Sequence, residues 1–155
     1  MQQDLIDKNP VDKIEHIKYS QPKRQPLTAY ELEELRWCCN EIREKALIDF
    51  LYSTGLRISE CADVKLEDIN WEQRSVHVRH GKGDKERTVY FNAESELTLR
   101  KYLNARNDKC DGLFVSVRNP VHNITAHALE EIVRKVSKRA NLHVYPHRLR
   151  HTFAT

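Results

Sequence analysis

The stretch Tyr145-Pro146-His147-Arg148-Leu149-Arg150-His151-Thr152-Phe153-Ala154-Thr155 carries more chemistry per residue than any other in this chain. Pro146 suits the first position of a helix, where its missing N–H costs nothing and its fixed φ is already helical. A helix continued from it puts His147, Arg150 and His151 at i, i+3 and i+4. Three nitrogen-bearing side chains then share one face, while Leu149 and Phe153 point into the protein. An arginine fork on such a face offers two parallel N–H donors to a phosphate, and a neighbouring imidazole can hydrogen-bond the phosphoryl group or move a proton near neutral pH. A basic, solvated helix end has the same composition, so this stretch alone leaves both readings open.

The surrounding chain is long enough, at 155 residues, for one domain with a single core. With 39% hydrophobic and 32% charged residues it reads as soluble and helix-leaning. No apolar run approaches a membrane span, and Met1-Gln2-Gln3-Asp4-Leu5 lacks the basic-then-apolar order of a signal peptide, so a cytoplasmic protein with no membrane partner is expected. Cys38, Cys39, Cys61 and Cys110 contain no C-x-x-C pair and fit no common zinc spacing, which predicts reduced, mostly buried thiols and no metal. The charge is unevenly divided. Residues 1–71 hold 10 Lys and Arg against 14 Asp and Glu, whereas residues 72–155 hold 16 against 9 and seven of the eight histidines. The second part is the expected polyanion side.

Residues 1–26, with Asn9-Pro10 and Gln21-Pro22-Lys23-Arg24-Gln25-Pro26, read as an extended basic linker. Thr28-Ala29-Tyr30-Glu31 has capping-box spacing and predicts a helix start with Leu32 and Leu35 inward. A second helix through Ala46, Leu47, Phe50 and Leu51 is closed by Gly55. Leu56 to Cys61 restarts helically, leaving Arg57 beside a helix start that carries backbone donors for an anion. Pairing of Arg57 with Glu60 at i+3 on the surface is the plainer alternative, and both can hold together.

From Asn70 the period changes to two. Ser75 to His80 and Arg87 to Phe91 alternate around Gly81-Lys82-Gly83-Asp84-Lys85, which predicts a β-hairpin whose glycines present Lys82. A lysine there could reach a phosphate or a leaving group, or be an ordinary surface lysine. Leu97, Leu99, Tyr102 and Leu103 mark one amphipathic helix; Leu129, Ile132, Val133, Val136 and Ala140 mark another. The opposite face of the latter, with Arg134, Lys135, Lys138 and Arg139, can lie along a DNA backbone or be solvated. Between them, Gly112 to Ser116 is a candidate short strand and Asn119-Pro120 a turn.

Three segments in one order, Thr54-Gly55-Leu56-Arg57-Ile58-Ser59-Glu60, Gly81-Lys82-Gly83-Asp84-Lys85-Glu86-Arg87 and His147-Arg148-Leu149-Arg150-His151, together resemble the tyrosine recombinase (phage integrase) family. The resemblance covers about Leu27 to Thr155. It implies an α+β fold, mostly helical with a small antiparallel sheet at one edge, preceded over residues 1–26 by the tail of an upstream core-binding domain. It makes Arg57 and Arg150 a clamp on the scissile phosphate, Lys82 the general acid toward the leaving 5′ oxygen, and His147 an aid to proton transfer. Glu60 and His151 support the site, and Lys85, Arg87, Arg134, Lys138, Arg139 and Arg148 become candidate DNA contacts. The implied partner is double-stranded DNA, engaged by a homo-tetramer in the full-length parent, with no metal or nucleotide cofactor. The family's nucleophilic tyrosine lies beyond the H-x-x-R segment. No tyrosine follows Arg150 here, so this chain is expected to bind DNA without cleaving it. A type IB topoisomerase shares the same chemistry, and a non-catalytic DNA-binding accessory or degenerate integrase is the rival of a different class.

Overall fold

The computed structural model describes residues 25–79, 83 and 85–154. The expected linker before Gln25, the hairpin residues His80, Gly81, Lys82 and Asp84, and Thr155 lie outside that set. The architecture is organised by a helix that is buried on almost every side. Helix α1 (Ala29–Trp37) precedes it, and α2 (Ile42–Thr54) buries Ala46, Leu47, Ile48, Phe50 and Leu51. Against α2 pack α1, the strand β3 (Arg87–Tyr90), and the helices α4 (Ala93–Ala105), α5 (Ala126–Arg139) and α6 (Pro146–Ala154). The short helix α3 (Ile58–Asp63) lies on α5. A 3-10 turn at Leu66–Asp68 leads into a three-stranded antiparallel meander of β1 (Ile69–Asn70), β2 (Ser75–Val78) and β3, with Val76 opposite Val89 and Val78 opposite Arg87. This is the mostly helical α+β arrangement with a small edge sheet that the sequence predicts. Among the described residues no helix is long and apolar enough to cross a membrane.

Local signals act as expected. Thr28 Oγ1 accepts from the Glu31 N–H at 3.0 Å and Glu31 Oε1 from the Thr28 N–H at 3.0 Å, closing the capping box. Gly55 ends α2 with a left-handed φ of 69°. Pro146 opens α6, and Leu129, Ile132, Val133 and Val136 are all buried on α5.

Two buried carboxylates inside the helical layer are each answered by an arginine. Asp49, buried on α2, accepts from Arg36 Nε at 2.6 Å and from Thr98 Oγ1 at 3.0 Å. Glu44 takes the Arg139 fork at 2.6 and 2.9 Å and the Asn40 N–H at 2.7 Å. Burial pushes the Glu44 carboxyl up, but the Arg139 guanidinium and the N–H groups of Asn40 and Glu41 outweigh it and hold it below the ordinary 4.5. Because Glu44 titrates lower folded than unfolded, protonation favours the unfolded chain. Its contribution is complete above about pH 4.5 and is lost as pH falls through the lower folded value. Glu44→Gln should therefore cost about 2 kcal/mol at neutral pH and flatten the loss of stability below pH 4.5, as read by urea melts at stepped pH. An unchanged acid slope would count against Glu44 as a titrating group.

Several expectations are corrected. Leu97, placed on the apolar stripe of α4, is 55% exposed, and Ser95 and Thr98 turn inward instead. The helix presents small polar residues to α2 because Thr98 is needed at Asp49. Phe153 is 51% exposed rather than buried, with its ring lying over Gly55. Residues 112–115 are buried and Ser116 half-buried, but they form no strand, joining the fold through the isolated bridges Lys65 to Gly112 and Val115 to Asn123. All four thiols are free. Cys61 is buried, the others are half-buried, and burial pushes the Cys39 thiol up to about 12.

Candidate active site

The site begins where α2 stops. The left-handed turn at Gly55 and the buried Leu56 place Arg57 at the N-cap of α3 in extended conformation (φ −70°, ψ 152°). Glu60, three residues on, accepts the Arg57 N–H at 2.9 Å, so the carboxylate is fixed against the residue whose guanidinium it faces. Arg57 Nη1 lies 3.6 Å from Glu60 Oε2. Arg150 arrives from α6, held by a 2.6 Å hydrogen bond from Nη1 to the Gly55 carbonyl, and the same nitrogen lies 4.0 Å from Glu60 Oε1. Arg87 arrives from β3 and grips both Glu60 oxygens, Nη1 to Oε2 at 2.6 Å and Nη2 to Oε1 at 3.0 Å.

Three guanidiniums thus surround one carboxylate whose side chain is only 3% exposed. Burial pushes the Glu60 carboxyl up, but Arg87 and the Arg57 N–H prevail and hold it below the ordinary value. Arg150 is displaced downward, the opposite way from its neighbour Arg87. Burial and the positive charges of Arg57 and Arg87 bring it below its ordinary value, against the pull of Glu60. The cluster carries excess positive charge in a partly desolvated place, the electrostatic condition under which an anion is held best.

Arg57 and Arg150 line one open cleft with Ser59, Glu130, Tyr145 and His147. His147 is exposed there, and His151, half-buried on the same helix, is not among the lining residues. The residues placed in the phosphate clamp by sequence are therefore brought together with His147 and Glu60, while Lys82 lies outside the described residues. The candidate DNA contacts separate into two groups. Lys85 and Lys138 are exposed, and Arg134 projects to solvent paired with Glu131. Arg139 turns back onto Glu44 and the Cys38 carbonyl, Arg148 donates to the carbonyls of Gln25 and His143 at 2.8 Å each, and Arg87 belongs to Glu60. Sequence reasoning missed Glu130 at the cleft and the Gly55 carbonyl as the anchor of Arg150. Neither has a local sequence signal, since both depend on the packing of α5 and α6 against the α2–α3 corner. Among the described residues no group of His, Cys, Asp and Glu could hold a metal.

The profile described as the Phage integrase family matches residues 25–155. The chain is 33% identical over 145 residues to tyrosine recombinase XerA of Pyrococcus horikoshii, covering 93% of this chain and 51% of that protein. It is 35% identical over 172 residues to tyrosine recombinase XerC of Bacillus subtilis, covering all of this chain and 55% of that one. It spans about half the length of the curated relatives it matches. Among solved structures, a XerA recombinase superposes with a TM-score of 0.76 at 33% identity, over 84% of this chain and 49% of that one. A XerH site-specific recombinase bound to a palindromic difH substrate, in a post-cleavage complex, gives 0.67 at 28% identity over 84% and 40%. With its fold, its clustered arginines and a family match over all the described residues, the chain belongs to the phage integrase family of tyrosine recombinases.

Proposed function

We propose that this chain is the phosphate-clamping part of a site-specific DNA recombinase, in which Arg57 and Arg150 hold the scissile phosphate of a duplex. The observation that carries the reading is the meeting of these two arginines, distant in sequence, at one buried carboxylate beside an open cleft that also holds His147. A phosphoryl-transfer transition state gathers negative charge on its oxygens, and fixed guanidiniums stabilise that charge with little reorganisation. A tyrosine hydroxyl attacks the phosphorus as its proton passes to His147, the 5′ oxygen leaves with a proton from Lys82, and a 3′-phosphotyrosyl bond stores the energy for rejoining. His147 assists proton transfer, and Glu60 holds Arg57 in place, with His151 in a supporting role. Lys85, Lys138 and Arg134 are the exposed cations suited to the flanking backbone. The parent works inside the cell as a homo-tetramer on double-stranded DNA, preceded over residues 1–26 by the tail of a core-binding domain. The XerH relative, a site-specific recombinase bound to a palindromic difH substrate in a post-cleavage complex, supports the substrate class.

Tyr90, Tyr102 and Tyr145 do not suit the role of nucleophile. Tyr102 is buried with its hydroxyl accepting the Val115 N–H at 3.1 Å, Tyr90 lies exposed on β3, and Tyr145 is held just before Pro146 at the cleft. A suicide duplex nicked beside the cleavage site should therefore trap a covalent adduct with a full-length recombinase containing this chain and none with the 155 residues alone. Absence of the full-length adduct would overturn the recombinase reading. An adduct of the short chain that disappears in Tyr145→Phe would move the nucleophile to Tyr145.

A further inference from the structure

Arg87 stands among the DNA contacts that the family resemblance suggests, yet the backbone of β3 directs it elsewhere. Side chains alternate along a strand, and Arg87 and Val89 are the half-buried pair while Thr88 and Tyr90 face solvent. From that inward position the Arg87 guanidinium takes both oxygens of Glu60 in a two-point fork at 2.6 and 3.0 Å, the strongest geometry available to an arginine and a carboxylate. The other two guanidiniums stand back. Arg57 Nη1 is 3.6 Å and Arg150 Nη1 4.0 Å from the same carboxylate, close enough to feel its charge and too far for a hydrogen bond.

The arrangement has a consequence for the cleft. A carboxylate this buried must have donors, because an unpaired buried charge is far costlier than a paired one. Besides the Arg57 N–H, which it already holds, the nearest replacements for Arg87 are Arg57 and Arg150, each needing to move about 1 Å to reach bonding distance. Either move would draw inward, toward Glu60, a guanidinium that lines the cleft, and for Arg150 it would also disturb the hydrogen bond from Nη1 to the Gly55 carbonyl.

We propose that Arg87 is a positioning residue for the phosphate clamp: by occupying both oxygens of Glu60 it keeps Arg57 and Arg150 close together and their remaining donors free for a phosphodiester. The inference rests on the clamp reading above and extends it to a residue that does not touch the substrate. It also gives the edge sheet a task, since this fork ties β3 to α3.

The 18.3 kDa chain suits solution NMR, with the arginine Nε–H groups as reporters and dimethyl phosphate as a minimal phosphodiester. In the unsubstituted protein the Arg57 and Arg150 signals should move on titration while Arg87 stays still. In Arg87→Gln those two signals should already be displaced before any phosphodiester is added, and the apparent affinity should fall about tenfold, the scale of one redirected charge-assisted hydrogen bond. Arg87→Lys, which keeps the charge and loses the fork, should lie between. Adding Glu60→Gln to Arg87→Gln should restore much of the affinity, because a neutral amide no longer captures the guanidiniums; a purely structural loss would not be rescued by a second substitution. Full affinity in Arg87→Gln, or an Arg87 signal that follows the phosphodiester, would overturn the proposal. An unsubstituted protein in which neither Arg57 nor Arg150 responds would instead sink the clamp reading on which it rests.

Discussion

Arg150→Ala in a full-length recombinase containing this chain should lower the single-turnover rate of strand cleavage at saturating DNA by about a thousandfold, while the protein still folds and binds duplex. The size of the effect follows from where the guanidinium sits. It is anchored on the Gly55 carbonyl at 2.6 Å, and its side chain is 31% exposed at a cleft shared with Arg57 and His147. Burial and the neighbouring arginines already work against its charge, so an arriving phosphate relieves repulsion as well as adding hydrogen bonds. Much of that gain is realised only as charge develops on the phosphate oxygens, which places the loss in the rate rather than in binding. Arg57→Ala should cost a comparable factor, and the double substitution far less than the product of the two, because the pair acts as one clamp. Arg150→Lys should recover little, since an ammonium cannot hold the Gly55 carbonyl and present a planar fork together. A decline below tenfold at saturating DNA would remove Arg150 from the clamp. A non-catalytic accessory protein would show only altered duplex affinity.

What the sequence could and could not reveal divides along the range of the interactions. The Thr28 to Glu31 capping box, the Gly55 stop, Pro146 at a helix start and the α5 stripe are all set within a few residues, and each forms as its local chemistry requires. Strand β1, with two residues, is too short to show a period; it exists because it pairs with β2. The inward turn of Thr98 in place of Leu97 depends on Asp49, which is distant in sequence and buried on another helix. Arginine roles were the least legible. Arg87, Arg139 and Arg148 look alike in a basic half-chain, and each is claimed by a partner far along the chain: Glu60, Glu44 and the Gln25 carbonyl. Alternation along β3 contained the one usable signal, because it places Arg87 on the face of Val89. The proposed phosphate clamp rests chiefly on the joint order of three motifs, since no single motif distinguishes a catalytic arginine from a solvated one.

The corner between α2 and α3 is where fold and site depend on the same residue, and Gly55→Val should damage both, costing about 3 kcal/mol of stability. The φ of 69° is open to glycine and strained by roughly 1–2 kcal/mol for other residues, with a β-branched side chain at the unfavourable extreme. Space is short as well. A Cβ at position 55 would stand 2.3 Å from Cδ2 and 2.7 Å from Cε2 of the Phe153 ring. That ring is half-exposed, so it can swing outward, at the cost of uncovering the corner it shields. The backbone strain has no such outlet, and the carbonyl it would tilt is the acceptor for Arg150. Thermal melts should therefore fall by about 6–12 °C for Gly55→Val, and by about half as much for Gly55→Ala. Phe153→Ala combined with Gly55→Ala separates the causes, removing the clash and leaving the φ strain. Gly55→Asn with Phe153→Ala should come nearest to the original stability, because asparagine tolerates the left-handed region. If Gly55→Val melted within 2 °C of the unsubstituted protein and cleaved normally in the full-length context, the Gly55 carbonyl would have no part in placing Arg150.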